Sequence, residues 1–119
     1  MDHTALVNEV LVEGLDDWVY SVVLMRIVED ATGLAGESLL QVTLEVIANL
    51  LHSGLMVVGD PGTATRPFTP WLLTIPEVLT RFEREWRVLG LDSDFVGICW
   101  FSNTPAGRER AHQIQAQRT

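Results

Sequence analysis

The sequence predicts a small α+β domain in which helices dominate: three before a short β-hairpin, a fourth inserted between the hairpin strands, and a C-terminal helix. Three observations carry this. Gly36 to Asp60, GESLLQVTLEVIANLLHSGLMVVGD, reads as one amphipathic helix, a glycine stop and a short apolar strand. Gly97 to Arg110, GICWFSNTPAGRER, reads as a strand running into a new helix. The chain has 119 residues, 47% of them hydrophobic and 20% charged, which suits a single domain, 1–119, with a real core rather than a disordered chain.

In order, Thr4 to Glu13 reads as the first helix, with Leu6, Val7, Val10 and Leu11 on one face, Asp2 or Thr4 as N-cap and Gly14 as stop. Asp16 can cap a second helix, Asp17 to Ala31. That segment is apolar and β-branched nearly all round, so a buried strand over Val19 to Val28 is the alternative. The turn TGLAG, 32–36, suits two helices crossing at a large angle. Ser38 and Gln41 have the spacing of a capping box for the third helix, Ser53-Gly54 is its stop, and Leu55 to Val58 is a strand.

Gly59 to Thr74 holds three prolines and two glycines and reads as an irregular loop. Thr74 and Glu77 form a second capping box, opening a helix over Pro76 to Leu89 that Gly90 ends. Leu91 to Gly97 reads as a polar turn and Ile98 to Phe101 as a buried strand. Thr104-Pro105 caps and starts a last helix that runs to about Gln115.

The segment HSGLMVVGD followed by ICWFSNTPAGRERA resembles the winged-helix regulators of the MarR and PadR type, in which a recognition helix leads into a wing hairpin and Thr-x-x-Gly-Arg opens the next helix. EGLDDWV, GLMVVGD, EREW and CWF..TPAGR also resemble segments of small proteins encoded in actinobacteria, which implies a source and no function. The first resemblance implies a helix-turn-helix-like fold. Two features depart from it. The strands are separated by the 39 residues Gly59 to Gly97, so the helix at 76–89 is an insertion. The third helix, which would enter the major groove, offers Gln41, Thr43, Asn49 and His52 but no Arg or Lys, and it carries Glu37 and Glu45.

The net charge is −8 at pH 7, which opposes the phosphate contacts that dominate nucleic-acid affinity. Residues 1–60 hold ten acids against one base, Arg26, whereas residues 61–119 hold seven arginines against six acids. The lone Cys99 excludes an intramolecular disulfide and suits a reducing cytoplasm. No signal segment precedes the first helix, and the longest uncharged apolar run, Trp18 to Met25, is too short to span a bilayer.

No cofactor, metal or phosphate motif is present. Cys99, His52 and Asp60 would make a nucleophile, base and orienting acid if they met, but Cys99 is equally a small buried hydrophobe and His52 a helix-end residue. His3, His52 and Cys99 lack the short ligand spacing of a metal site. Trp18, Trp86 and Trp100 read as core. Phe68 and Trp71, in the proline-rich loop, read either as packed residues or as an exposed pair for a partner. Arg81, Arg84 and Arg87 form the only basic stripe, diluted by Glu83 and Glu85.

The expectation is therefore a non-enzymatic protein-interaction module whose acidic run Glu9, Glu13, Asp16 and Asp17, with Phe68 and Trp71, meets a basic protein, as an immunity or antitoxin-like protein would. The alternative is a dimeric winged-helix transcription regulator that contacts DNA through Arg81, Arg84 and Arg87.

Overall fold

The computed structural model describes residues 3–60, 65, 68–89 and 99–118, and these form an α+β fold of five helices and one four-stranded antiparallel sheet. The elements are α1 Thr4–Glu13, β1 Val19–Tyr20, α2 Ser21–Thr32, α3 Gly36–His52, β2 Met56–Asp60, β3 Thr69–Pro70, α4 Ile75–Leu89, β4 Trp100–Asn103 and α5 Pro105–Arg118. Strand order is β1-β4-β2-β3. The expected hairpin is the β2·β4 pair at the centre, and β1 and β3 extend it at the two edges.

The second element differs most from expectation. In place of a helix over Asp17 to Ala31, Val19 and Tyr20 pair with Phe101 and Trp100 as β1, and the helix starts only at Ser21. The β-branched Val19 is thereby buried against the sheet at 1% exposure, and the Ser21 N–H donates to the Cys99 carbonyl at 2.9 Å as the chain turns into α2. Asp16 is consequently too far back to cap; Asp17 Oδ1 accepts from the Trp18 N–H at 2.7 Å instead, a local Asx bond before the strand.

Helix α3 begins at Gly36, before the expected capping box. Ala35 is its N-cap without a side-chain bond, and the Gln41 amide donates to Glu45 Oε2 at 3.2 Å rather than reaching back to Ser38. The chain breaks by 112° between α2 and α3. At the other end Gly54 takes φ +68°, and the Leu55 N–H reaches the Leu50 carbonyl at 3.1 Å, closing the helix with the left-handed stop that the Ser53-Gly54 pair predicts.

The Thr74–Glu77 capping box forms as read: the Thr74 N–H donates to Glu77 Oε1 at 2.9 Å, and the Glu77 N–H donates to Thr74 Oγ1 at 3.3 Å. Strand β2 runs to Asp60 and β4 from Trp100 to Asn103, each shifted C-terminally from the expected bounds, and α5 continues to Arg118. Thr4 is the first residue of α1 rather than its cap, and His3 stands at the N-cap with no side-chain cap bond. Asp2, the Gly90 stop, the 91–97 turn and Ile98 lie outside the described residues.

The core lies between the helices and one face of the sheet. Val10 and Leu11 of α1, Leu24 and Val28 of α2, Leu40, Val46, Ile47 and Leu50 of α3, Phe82 of α4, and Met56, Val58 and Phe101 of the sheet are all buried. Because paired residues share a face, Val19, Val58 and Phe101 point inward together. Tyr20, Trp100, Val57 and Ser102 point to the other face. Among the described residues that second face is partly exposed, with Val57 at 40%.

Candidate interaction surface

Four groups of side chains bear on function: the acidic run, the arginines of α4, the surroundings of Cys99, and an aromatic cluster on the outer face of the sheet.

The acidic run divides. Glu9, on α1, is ion-paired with Arg118 at the end of α5, and this pair helps hold the last helix against the first. Glu13, Asp16 and Asp17 are exposed where α1 ends and the chain turns toward β1, and among the described residues none has a cationic partner. Three carboxylates thus gather at one end of the fold.

The basic stripe of α4 is largely neutralised within the fold. Arg87 makes a two-pronged contact with Glu37 at the start of α3, Nη1 to Oε1 at 2.6 Å and Nη2 to Oε2 at 3.1 Å, and lies 3.5 Å from Glu83. The guanidinium holds the Glu37 carboxyl below its ordinary value, chiefly through that hydrogen bond. Arg81 Nη2 is 3.4 Å from Asp60 Oδ1, its Nε is 3.6 Å from Glu85, and its guanidinium lies 3.8 Å over the Trp71 ring. Arg84 alone of the three is exposed with no ion pair among the described residues.

Trp71 is packed, not exposed. At 8% exposure it lies under Arg81, its N–H donates to Val58, and its Nε1 donates to Asp60 Oδ1 at 2.9 Å. Phe68 goes elsewhere, stacking on Trp18 with ring centroids 5.6 Å apart. The expected exposed Phe68–Trp71 pair is thus replaced by two separate aromatic contacts. The pull of Trp71 is the acceptor at the end of β2, a partner that sequence spacing cannot reveal.

Cys99 belongs to no cluster of three His, Cys, Asp or Glu side chains among the described residues. It is fully buried, and burial first, then the Glu85 charge, pushes its thiol well above the usual range. His52 is exposed at the end of α3, so the Cys99–His52–Asp60 arrangement does not form. His3 is buried and its Nε2 lies 2.7 Å from Glu45, joining the start of α1 to the middle of α3. Among the described residues no three His, Cys, Asp or Glu side chains are grouped to hold a metal ion.

Of the polar groups that α3 offers, Thr43 is fully buried with its hydroxyl donating to the Leu39 carbonyl at 2.8 Å, and Gln41 is bound to Glu45. Asn49 and His52 are exposed, and Asn49 Oδ1 accepts from the Ser53 hydroxyl at 3.3 Å.

The aromatic cluster is the feature that sequence reading missed. Trp18, 38% exposed, packs on Phe68 and lies 4.7 Å from Trp100 between centroids, and Trp100 in turn lies 4.8 Å from Tyr20. Trp18 and Trp100, both expected in the core, lie on this outer face instead, Trp18 exposed and Trp100 half-buried. The signal available was the alternation Cys99-Trp100-Phe101, which puts the middle residue on the opposite face. No helix among the described residues is long and apolar enough alone to cross a membrane. No family model, curated protein or solved structure matches the chain.

Proposed function

We propose that the chain is a non-enzymatic interaction module that presents an acidic surface to a basic protein, in the manner of an immunity or antitoxin protein. One observation carries the reading: Glu13, Asp16 and Asp17 are exposed and unpaired among the described residues, whereas Glu9 and Glu37 are each bound by an arginine of the chain itself. Clustered carboxylates with no internal counter-charge raise the potential at that end of the fold and speed encounter with a cationic surface. The buried thiol of Cys99, kept protonated, supports a role without a cysteine nucleophile.

The test is capture at low salt. Immobilised protein is expected to retain basic proteins, and the triple variant E13Q/D16N/D17N to lose them; recovery of only neutral or acidic proteins, or equal capture by the triple variant, removes the reading.

We also propose that the fold is a winged-helix variant acting in the cytoplasm. The order α3, β2, β4, α5 and the Thr104 to Gly107 bond that opens α5 support the fold. A single free thiol suits the compartment. The competing reading, a dimeric regulator holding DNA through Arg81, Arg84 and Arg87, has less behind it, since Arg81 and Arg87 are already engaged by carboxylates. A gel shift on its own promoter region at low salt discriminates: salt-sensitive binding lost in Arg84→Gln favours the regulator.

A further inference from the structure

We infer that the aromatic face formed by Trp18, Tyr20, Phe68 and Trp100 is the docking platform for the partner, and that its occupant is an arginine-bearing segment of a basic protein. The inference rests on the proposed acidic-surface reading and adds where the contact is made and by which cation.

The cluster is a continuous set of ring faces on the side of the sheet that the core does not use. Trp18 stacks on Phe68 at an interplanar angle of 28°, then tilts at 36° against Trp100, which meets Tyr20 at 57°. Rings tilted against one another leave faces and edges that a flat group can enter. Trp18 is 38% exposed, unlike Trp71 and Trp86, which are buried.

The chain's own arginines mark the difference. Arg81 lies 3.8 Å over the Trp71 ring and Arg87 5.9 Å from the Trp86 ring, whereas among the described residues no cation lies over Trp18, Tyr20 or Trp100. Two indole faces are thus supplied with guanidinium from within, whereas among the described residues Trp18 and Trp100 have aromatic ring neighbours and no cation.

Charge selects the occupant. Asp16 and Asp17 immediately precede Trp18 in the chain, are exposed, and have no cationic partner among the described residues. A guanidinium can lie flat on an indole while its N–H fork meets a carboxylate, two demands that an ammonium meets less well. The enclosed Trp100 Nε1, which has no acceptor among the described residues, adds a donor that a partner carbonyl would satisfy if the ring shifts on docking. A nucleic-acid base would also stack here, but the adjoining carboxylates repel its phosphates.

The test uses an oligoarginine peptide, an oligolysine peptide of equal length and a single-stranded oligonucleotide, each titrated by calorimetry at moderate salt against the wild type, W18L, F68L and D16N/D17N. Thermal melts establish that each variant is folded, and Trp18→Leu keeps the apolar bulk while removing the ring. Support requires that oligoarginine binds more tightly than oligolysine, and that W18L and D16N/D17N each weaken it about tenfold. If oligoarginine binds W18L and F68L as well as it binds wild type but is lost with D16N/D17N, the platform is overturned and the acidic-surface reading stands. If no basic protein or peptide is retained at all, the acidic-surface reading falls and the platform with it. Oligonucleotide binding that is lost in W18L overturns the assignment to an arginine-bearing protein.

Discussion

Gly107, in the first turn of α5, lies so close to the carbonyl of Leu55 that a Cβ on it would sit 1.9 Å from that oxygen. The approach is fixed from both sides. The Thr104 N–H donates to the same Leu55 carbonyl at 3.0 Å, and the Thr104 hydroxyl donates to the Gly54 carbonyl at 2.7 Å and accepts from the Gly107 N–H at 3.1 Å. The Thr-Pro-Ala-Gly sequence therefore ties the start of α5 to the turn between α3 and β2.

Gly107→Ala is expected to destabilise the fold by about 3 kcal/mol, at the upper end of what an added methyl costs in a packed site, because the atom it meets is backbone and cannot swing away. Urea unfolding measures this. A midpoint within error of wild type would show that the two segments are not this close.

Trp71→Phe removes both the Nε1 bond to Asp60 and most of the ring face under Arg81, while keeping an aromatic in the site. A loss of about 1–2 kcal/mol is expected, less in Asp60→Asn, which keeps an acceptor oxygen. Urea unfolding followed by far-UV circular dichroism measures the loss, since Trp71→Phe itself removes one of the four indoles.

Cys99 is expected to resist a thiol reagent in the native protein and to react at once in denaturant, because its sulfur is buried and held as the thiol. Cys99→Ser should cost about 2 kcal/mol by burying a hydroxyl, and Cys99→Ala less. Fast native labelling would contradict the burial.

Stability should fall in acid. Glu37, Glu45 and Glu77 all have their carboxyls held below the ordinary value of 4.5, respectively by Arg87, by His3 with Gln41, and by the Thr74 backbone and hydroxyl. Depressed carboxyls stabilise the fold in full above their unfolded value, and the contribution is lost as pH falls through the folded values beneath it. Thermal melts between neutral pH and pH 3 should show the fall. The triple variant E37Q/E45Q/E77Q should flatten it, though all three groups are exposed enough that each contributes little.

Helix existence was legible wherever a local signal was strong. The apolar stripe of α1, the Ser53-Gly54 stop and the Thr74–Glu77 box each act over a few residues, and each appears where it was read. Ser38 and Gln41 show the limit of such reading. Their spacing is right, but α3 starts at Gly36, where Glu37 meets Arg87 fifty residues on, so Ser38 falls inside the helix. Val19 and Tyr20 are a strand because they pair with Phe101 and Trp100 of β4; the β-branched run left a strand over Val19 to Val28 as the alternative, but only the partner strand limits it to these two residues.

By itself the sequence determined most of the helical content, the glycine-bounded α3–β2 unit and the charge asymmetry, because these depend on residue type and short spacing. Only the tertiary structure decided which charges remain available: it paired Glu9 with Arg118 and Glu37 with Arg87, and left Glu13, Asp16 and Asp17 with no cation among the described residues. It likewise divided the tryptophans, burying Trp71 and Trp86 near arginines and leaving Trp18 on the outer face with Trp100. The reason is that ion pairing and burial are contacts between segments far apart in the chain, and their partners are set by the packing of helices on a sheet.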